Sequence, residues 1–272
     1  MVSDILGDVW PPRPSLARRT VGTTIMSGTT IILLRHGETE ANSKGVLQGQ
    51  SESPLTHAGR EQAAQLGIGL RMQHLAMPLC ITAYASDLSR AHDTAQAVLD
   101  ELNKDKKGRS ITLACDARLR ERRLGPFQGR SAAECHRLHP RLWHAFNAGS
   151  EDDVRGCDEP GAADNGGVEL NDEMMRRAAT VMGEIAAAHP GEAVLVTSHG
   201  GFIHTAVCAL TGLSAHEVPH IGNCSVTTLV APAGSARGDM KTPWQVIAIG
   251  EAPGGGRCHD AGLNVDLGLR RP

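Results

Sequence analysis

Residues 31–39 read Ile-Ile-Leu-Leu-Arg-His-Gly-Glu-Thr, four apolar residues followed at once by polar ones. A short, continuous apolar run is typical of a strand that is covered on both faces of a parallel sheet. Polar groups that directly follow such a strand lie at the carboxyl edge of the sheet, where open α/β folds bind their ligands. The segment therefore predicts a buried first strand that delivers Arg35 and His36 to a functional site.

The rest of the chain alternates between helical and strand patterns. Thr56 is a candidate N-cap for a helix. Ala63, Leu66 and Leu70 recur on one face of that helix. Further helices are predicted over 88–102, after a capping box formed by Ser131 and Glu134, after the N-cap candidate Asn171, and over 201–210. Further strands are predicted over 79–85, 111–114, 194–197, 226–230 and 244–249. Alternation of this kind predicts an α/β fold, a three-layer α/β/α sandwich with a mostly parallel central sheet.

The predicted domain covers residues 28–251. Residues 1–27 contain prolines and arginines without hydrophobic periodicity, which predicts a disordered N-terminal extension. Residues 252–272 are rich in glycine and arginine and predict a flexible C-terminal tail. Within the domain, a lid or insertion is expected over about 131–167, because its second half, 151–167, is acidic and glycine-rich.

The composition excludes several classes of function. The chain has 27 Lys and Arg against 30 Asp and Glu, a net charge of -3, so no overall field attracts nucleic acid or an anionic membrane. Aromatic residues make up only 3%, which argues against proteins that stack on bases. The seven cysteines lack the spacing of a zinc site, and no apolar run reaches the roughly 18 residues of a membrane span. We therefore expect a soluble, cytoplasmic protein with reduced thiols and no metal.

A second histidine, His199, follows another predicted strand, within the sequence Ser-His-Gly-Gly. The turn that opens the helix over 88–102 brings Arg90 to the same sheet edge. Together with Arg35 and His36, these residues would form a cationic pocket. Arginine offers bidentate donors to phosphoryl oxygens, an imidazole can attack phosphorus, and the glycine after each histidine would let the backbone approach the ligand. The pattern indicates a phosphate site that needs neither metal nor cofactor.

Seven short motifs follow one another along the chain, and the first reads Leu-Leu-Arg-His-Gly-Glu-Thr-Glu-Ala-Asn. They occupy residues 33–42, 48–50, 54–59, 86–95, 119–122, 166–169 and 198–201. In this order they resemble the histidine phosphatase superfamily, which includes the cofactor-dependent phosphoglycerate mutases. The resemblance covers about residues 30–250 and implies a phosphoglycerate mutase-like fold.

The resemblance also implies roles for the matching residues. His36 would be the nucleophile, and Glu121 would protonate the leaving oxygen and then deprotonate the attacking water. Taken alone, Glu121 is more typical of a surface carboxylate paired with Arg120 or Arg122, and its place in the motif reverses that preference. His199 would be the third catalytic residue, beside His36 and Glu121. The residues implied to hold the phosphoryl group or contact the substrate are Arg35, Asn42, Gln48, Gly49, Arg90, His199 and Gly200.

Two departures from the family pattern affect the functional hypothesis. Family members often carry an arginine shortly after Ser-His-Gly-Gly, where this chain has His204, so one anion contact would be weaker or pH-dependent. The segment 151–167 is acidic and irregular where the mutases usually supply basic lid contacts. Glu169, in the family's Gly-Gly-Glu-Ser region, is assigned a supporting role near the pocket. These departures favour a phosphatase over a mutase.

The leading hypothesis is a metal-independent phosphatase that acts on a small phosphorylated metabolite through a phosphohistidine intermediate. Residues 42–50 and 54–56 are similar to the fructose-2,6-bisphosphatase branch of the superfamily and to its broad-specificity phosphatases. This likeness suggests fructose 2,6-bisphosphate or another sugar phosphate as substrate, with a role in regulating glycolysis. The alternatives are a cofactor-dependent phosphoglycerate mutase and a catalytically inactive phosphate-binding scaffold.

Overall fold

The computed structural model describes residues 28–72, 82–104, 110–157, 167–234 and 242–252. The predicted N-terminal extension, residues 253–272 of the predicted tail and residues 158–166 of the predicted lid lie outside these ranges. None of the helices in the described part of the chain is long and apolar enough to cross a bilayer.

A six-stranded sheet lies at the centre of the fold, in the order β4-β3-β6-β1-β7-β8. Its strands are β1 (Thr30–Arg35), β3 (Thr82–Ala85), β4 (Thr112–Cys115), β6 (Ala193–Ser198), β7 (Val226–Val230) and β8 (Gln245–Glu251). The pairs β1–β6, β6–β3 and β3–β4 are parallel, whereas β7 is antiparallel to both of its neighbours. The predicted, mostly parallel sheet is confirmed, with β7 as the reversed strand. A separate antiparallel pair is formed by β2 (Val46–Leu47) and β5 (Arg130–Ser131).

The helices mostly follow the predicted apolar periodicity. They are α1 (Glu40–Ser43), α2 (His57–Met72), α3 (Ser89–Asn103), α4 (Ala132–Leu138), α5 (Pro140–Ala148), α6 (Glu151–Arg155), α7 (Asn171–Ala188) and α8 (Gly200–Thr211). The predicted cap of α2 is confirmed, because Thr56 Oγ1 accepts a hydrogen bond from the Gly59 amide at 2.9 Å. Ser131 and Glu134 form the predicted capping box of α4.

Two helical layers cover the central sheet. The side chains of β1 alternate between them: Ile31 and Leu33 pack on the face covered by α7 and α8, while Ile32 and Leu34 pack on the face covered by α2 and α3. All four are buried. This alternation explains why β1 is a continuous apolar run, and it confirms the three-layer sandwich.

A third apolar cluster, which we call the cap cluster, lies outside these layers. It is built around α4, α5, β2 and the segment after Leu124. Its buried members are Leu47, Leu124, Phe127, Cys135, Leu142, Trp143, Phe146 and Val168. The sequence predicts a lid or insertion in this part of the chain, and the described residues of the cap cluster give that region an apolar centre of its own.

Two local expectations are wrong. The segment that begins at residue 151 is not irregular throughout, because Ser150 caps the short helix α6. Asn171 is not the N-cap of α7 but its first helical residue. The N-cap is Leu170, whose amide donates to Glu173 Oε2 at 3.2 Å. At α6 the Ser150 hydroxyl accepts from the Asp153 amide at 3.4 Å, and at α7 the Glu173 carboxylate accepts from the Leu170 amide. In both places a side chain satisfies a backbone amide at the helix terminus, which composition alone does not reveal.

Candidate active site

The register of the sheet places the two predicted histidines side by side. In the parallel pairing of β1 with β6, Arg35 lies opposite Ser198, so the next residues, His36 and His199, emerge together at the carboxyl edge. Their ring centroids are 5.2 Å apart, and both side chains are buried. Ser86, just beyond β3, lies on the other side of His199, with its Oγ 2.8 Å from the His199 Nε2.

His36 is held by both its ring and its backbone. Its Nδ1 lies 2.7 Å from the carbonyl oxygen of Gly37. A carbonyl oxygen can only accept, so Nδ1 carries the hydrogen and Nε2 carries the lone pair of the neutral ring. The His36 amide donates to the Ser198 carbonyl at 3.0 Å, which continues the strand pairing. The arrangement can therefore present Nε2 as a nucleophile.

The loop before β7 closes one side of the site, and the sequence analysis missed it. Asn223 Nδ2 donates to the His36 carbonyl at 2.9 Å and to Asn42 Oδ1 at 3.5 Å. The next residue, Cys224, has a φ of 51°, and its amide donates to the carbonyls of residues 35 and 36. Only the antiparallel pairing of β7 with β1 brings this loop beside His36, and no sequence motif signals that pairing.

His199 is neutral at neutral pH. Loss of hydration, together with the positive charge of Arg90, holds the pKa of its imidazole well below the ordinary value. Ser86 Oγ also accepts from the Leu88 amide at 3.3 Å, and we assign its hydroxyl hydrogen to the His199 Nε2. The hydrogen of the neutral ring then lies on Nδ1, which has no hydrogen-bond partner within the described residues.

Arg90 provides a buried positive charge next to the histidines. Its Nη1 donates to the Ser51 carbonyl at 2.8 Å and its Nη2 to the Gly49 carbonyl at 2.7 Å. Burial lowers the pKa of Arg90 to about 10, partly offset by the charge of Glu121, so it remains protonated at neutral pH. Its Nε has no partner in the described part of the chain. A buried, charged N–H group of this kind is a ready donor for an anion.

Two backbone amides hold the Glu121 carboxylate in a fixed direction. Oε1 accepts from the Arg122 amide at 2.7 Å, and Oε2 accepts from the Gly201 amide in the first turn of α8 at 2.9 Å. Gln50 Nε2 donates to the Glu121 carbonyl at 3.0 Å, which ties this segment to the loop that Arg90 holds. Glu121 is therefore part of the same contact network as Arg90.

The alternative surface pairing of Glu121 is not what the structure shows. The Arg120 side chain forms two hydrogen bonds of 2.6 Å with Asp87, and the Arg122 side chain donates to the Glu169 carbonyl at 3.2 Å. The hydrogen bond from Arg120 lowers the pKa of Asp87. Asp87 is therefore a poor proton donor, although it lies at the edge of the pocket.

The remaining predicted contacts lie in the loops beside this group. Asn42 Oδ1 accepts from the Thr39 amide at 3.2 Å, so it also caps α1. The Gln48 side chain has a buried Oε1 without a partner in the described ranges. Gly49 has a φ of 53°, and a Cβ there would lie 2.5 Å from Gln128 Oε1. The loop from Gln48 to Ser51 thus requires a glycine at this position.

Comparisons with known proteins agree with this geometry. The family model of the histidine phosphatase superfamily, branch 1, matches residues 31–238. The chain belongs to this superfamily. It is 33% identical over 196 residues to phosphoglycerate mutase-like protein 4 of Arabidopsis thaliana, covering 72% of this chain and 76% of that protein. It is 32% identical over 209 residues to a glucosyl-3-phosphoglycerate phosphatase of Mycolicibacterium vanbaalenii, covering 77% and 86%.

Solved structures show the same fold. A phosphoglycerate mutase from Bacillus anthracis superposes with a TM-score of 0.64 at 26% identity, covering 83% of this chain and 95% of that one. The chain is thus a member of the histidine phosphatase superfamily with a phosphoglycerate mutase-like fold, and phosphomonoester hydrolysis is the activity of its class.

The glycines that follow the two histidines also pack closely against protein atoms. A Cβ on Gly37 would lie 2.4 Å from the Gly59 carbonyl oxygen, so this glycine lets the strand end pack against α2. A Cβ on Gly200 would lie 3.3 Å from Arg35 Nε. Close packing against protein atoms, and not only approach of a ligand, accounts for both residues.

His204 does not take the place of the family's arginine. Its Nε2 donates to the Ala215 carbonyl at 3.1 Å, and its Nδ1 faces Cys208 Sγ at 3.9 Å. Burial lowers the pKa of His204. Because both ring nitrogens face protein groups, His204 is not placed to contact an anion. Within the described ranges, no group of three or more His, Cys, Asp or Glu is placed to hold a metal ion.

Proposed function

We propose that the protein hydrolyses the phosphomonoester of a small metabolite, without a metal ion, through a phosphohistidine at His36. The observation that carries this proposal is a pair of buried nitrogen atoms, Nδ1 of His199 and Nε of Arg90, that lack partners in the described part of the chain. Buried polar groups are nearly always satisfied. The His199 ring lies 5.2 Å from that of His36, and the charge of Arg90 acts on the same His199 ring. A phosphoryl group would supply the missing acceptors.

The first step forms the phosphoenzyme. Nε2 of His36 attacks phosphorus while the bond to the leaving oxygen breaks, and Glu121 gives a proton to that oxygen. Arg35, Arg90 and His199 hold the charge that develops on the other phosphoryl oxygens. The products of this step are an alcohol, phosphorylated His36 and a deprotonated Glu121.

The second step returns the enzyme to its starting state. A water molecule attacks phosphorus, Glu121 takes the proton of that water, and the phosphorus–nitrogen bond to His36 breaks. Inorganic phosphate leaves. The two backbone amides that hold the Glu121 carboxylate suit this double role, because they fix its direction and leave a lone pair on each oxygen.

For the substrate, we propose a sugar phosphate, with fructose 2,6-bisphosphate among the candidates. Amide side chains at the pocket, namely Asn42, Gln48 and Gln50, are suited to hydroxyl groups, and the buried Oε1 of Gln48 requires a donor. A relative is by name a phosphatase of glucosyl-3-phosphoglycerate. Another is mutase-like by name, so the mutase is the second candidate.

A screen of phosphomonoesters separates these functions. The substrates are p-nitrophenyl phosphate, sugar phosphates including fructose 2,6-bisphosphate, and phosphoglycerates, each with and without EDTA. We expect phosphate release that EDTA does not inhibit. Conversion of 3-phosphoglycerate to 2-phosphoglycerate that depends on 2,3-bisphosphoglycerate would identify a mutase instead. Absence of turnover with retained phosphate binding would identify an inactive scaffold.

A further inference from the structure

The segment that carries Glu121 is held by its backbone carbonyls. Four consecutive carbonyls, those of residues 118–121, each accept a hydrogen bond from a side chain of another element. Arg177 on α7 donates to the carbonyls of residues 118 and 120 at 2.7 and 2.8 Å. Ser198 donates to the carbonyl between them at 2.6 Å, and Gln50 to that of Glu121 at 3.0 Å. The path of this segment therefore depends on side chains distant in sequence.

Arg177 is itself fixed by a buried carboxylate. Its Nε and Nη2 donate to Glu169 Oε1 and Oε2, both at 2.8 Å, which is the bidentate geometry of a strong charge-assisted pair. Its guanidinium carbon lies 5.4 Å from the centroid of the Phe202 ring. Glu169 also accepts from the Arg123 amide at 3.1 Å and donates its own amide to the Arg123 carbonyl at 2.8 Å. The pair thus holds residues 118–123 at both ends.

We propose that Arg177, oriented by Glu169, is a positioning residue that sets the direction of the Glu121 carboxylate for proton transfer. This inference rests on the proposed role of Glu121 as the proton donor. A shift of the residue 120 carbonyl moves the amide of Glu121, to which that carbonyl is bonded. Proton transfer demands hydrogen-bond reach of the leaving oxygen, so a displacement of about 1 Å is costly. Arg177→Lys could not preserve this arrangement, because the planar guanidinium group donates to four acceptors at once, namely two backbone carbonyls and both oxygens of Glu169.

Two variants separate positioning from charge. Arg177→Met removes a positive charge near the pocket, whereas Glu169→Gln removes a negative one and retains the size of the side chain. An effect through long-range charge would have opposite signs in the two variants. An effect through the placement of Glu121 would have the same sign in both. Arg176→Met is the matched control, because Arg176 is the neighbouring residue on α7 and forms an exposed ion pair with Asp172 at 2.8 Å.

The measurement is the rate of phosphoenzyme formation by rapid quench with two substrates, phenyl phosphate and p-nitrophenyl phosphate. They share a ring, but phenolate is the more basic leaving group and needs the proton of Glu121 more. We expect Arg177→Met and Glu169→Gln each to slow the phenyl phosphate step by about 10-fold to 10²-fold, and the p-nitrophenyl phosphate step by less than about threefold. Arg176→Met should match the wild type on both.

A double variant completes the test. In a Glu121→Gln background, Arg177→Met should cause no further selective loss on phenyl phosphate, because its effect acts through Glu121. Equal losses on both substrates, opposite effects of the two single variants, or full additivity with Glu121→Gln would overturn the inference. If Arg177→Met does not fold, as judged by its melting curve, Glu169→Gln alone and in the Glu121→Gln background gives the same comparison.

The Glu121→Gln variant by itself separates a failure of the proposed acid role of Glu121 from a failure of the positioning inference. If Glu121→Gln itself slows both substrates equally, the assignment of Glu121 as the acid fails, and the positioning inference fails with it. If Glu121→Gln is selective for phenyl phosphate while Arg177→Met and Glu169→Gln are not, only the positioning inference fails.

Discussion

The candidate active-site pocket and the cap cluster are built by opposite means. The pocket consists of buried polar residues, His36, Arg90 and His199, that the strand register and backbone carbonyls hold in place. The cap cluster consists of apolar side chains, and it contains two of the three phenylalanines of the whole chain. Hydrogen bonds to the backbone closely fix the direction in which a side chain points, whereas apolar contact fixes mainly which surfaces meet.

The aromatic residues of the cap cluster compensate for its small size. Phe127 contacts Trp143 edge-on at a centroid distance of 5.1 Å and Phe146 at 5.4 Å. A small layer has few residues to bury, so each must remove much apolar surface from water, and aromatic side chains do this best. The central sandwich, which is larger, is built mostly of alanine, valine, leucine, isoleucine and methionine, with Phe202 and Trp244 among its buried residues. The comparison predicts that the two regions respond differently to substitution.

The largest effect should come from breaking the pocket at His36. We expect His36→Ala to lower turnover by at least about 10⁴-fold, because the described residues of the pocket offer no second group placed as the nucleophile. Rapid-quench labelling of the wild type should show acid-labile, base-stable phosphate on this residue. Label that persists in His36→Ala would sink the assignment.

A smaller loss of turnover should follow when the direction of the Glu121 carboxylate is changed. In Gly201→Ala, the new Cβ would lie 2.5 Å from Glu121 Oε1, so the carboxylate must move. We expect turnover to fall by about 10-fold to 10²-fold, while alanine in the first turn of α8 leaves the helix intact. Gly156→Ala, whose Cβ meets only the Asp152 carbonyl at 3.2 Å, is the control. Wild-type activity in Gly201→Ala would show that the carboxylate direction is not critical.

Matched leucines can test whether the cap cluster is a separate unit. Leu142 in the cap cluster and Leu66 on α2 are each 1% exposed. We expect Leu66→Ala to lower the free energy of global unfolding by about 2–5 kcal/mol. Leu142→Ala should instead raise hydrogen exchange mainly in α4, α5 and α6, and weaken substrate binding more than vanadate binding in the pocket. Uniform exchange changes across the sheet in Leu142→Ala would contradict this separation.

The smallest effect concerns pH. Burial lowers the pKa values of His199 and His204 below the ordinary 6.5, so the unfolded chain binds protons that the folded protein excludes. Stability is therefore complete above about pH 6.5 and is lost as the pH falls toward the folded values, by about 1.4 kcal/mol per pH unit for each proton taken up. Urea unfolding at several pH values measures this slope. It should become shallower in His204→Gln, and an unchanged slope would exclude His204 as a contributor.

Much of the site could be predicted from the sequence because its signals are local. A buried parallel strand must be apolar on both faces, and its carboxyl end must carry the functional groups, so Ile31–Leu34 pointed directly to Arg35 and His36. The helical faces of α2 and α3 follow from periodicity alone. The motif order then led to the superfamily and to Arg90, Glu121 and His199.

The tertiary structure alone decided which distant groups hold these residues. The reversed direction of β7 brings Asn223 to His36, and the docking of α7 brings Arg177 to the carbonyls before Glu121. Neither contact has a sequence signal, because backbone carbonyls are identical in every residue and their partners are chosen by packing. The local pattern therefore determined which residues could act, and only the packed elements determined the directions in which His36 and Glu121 are held.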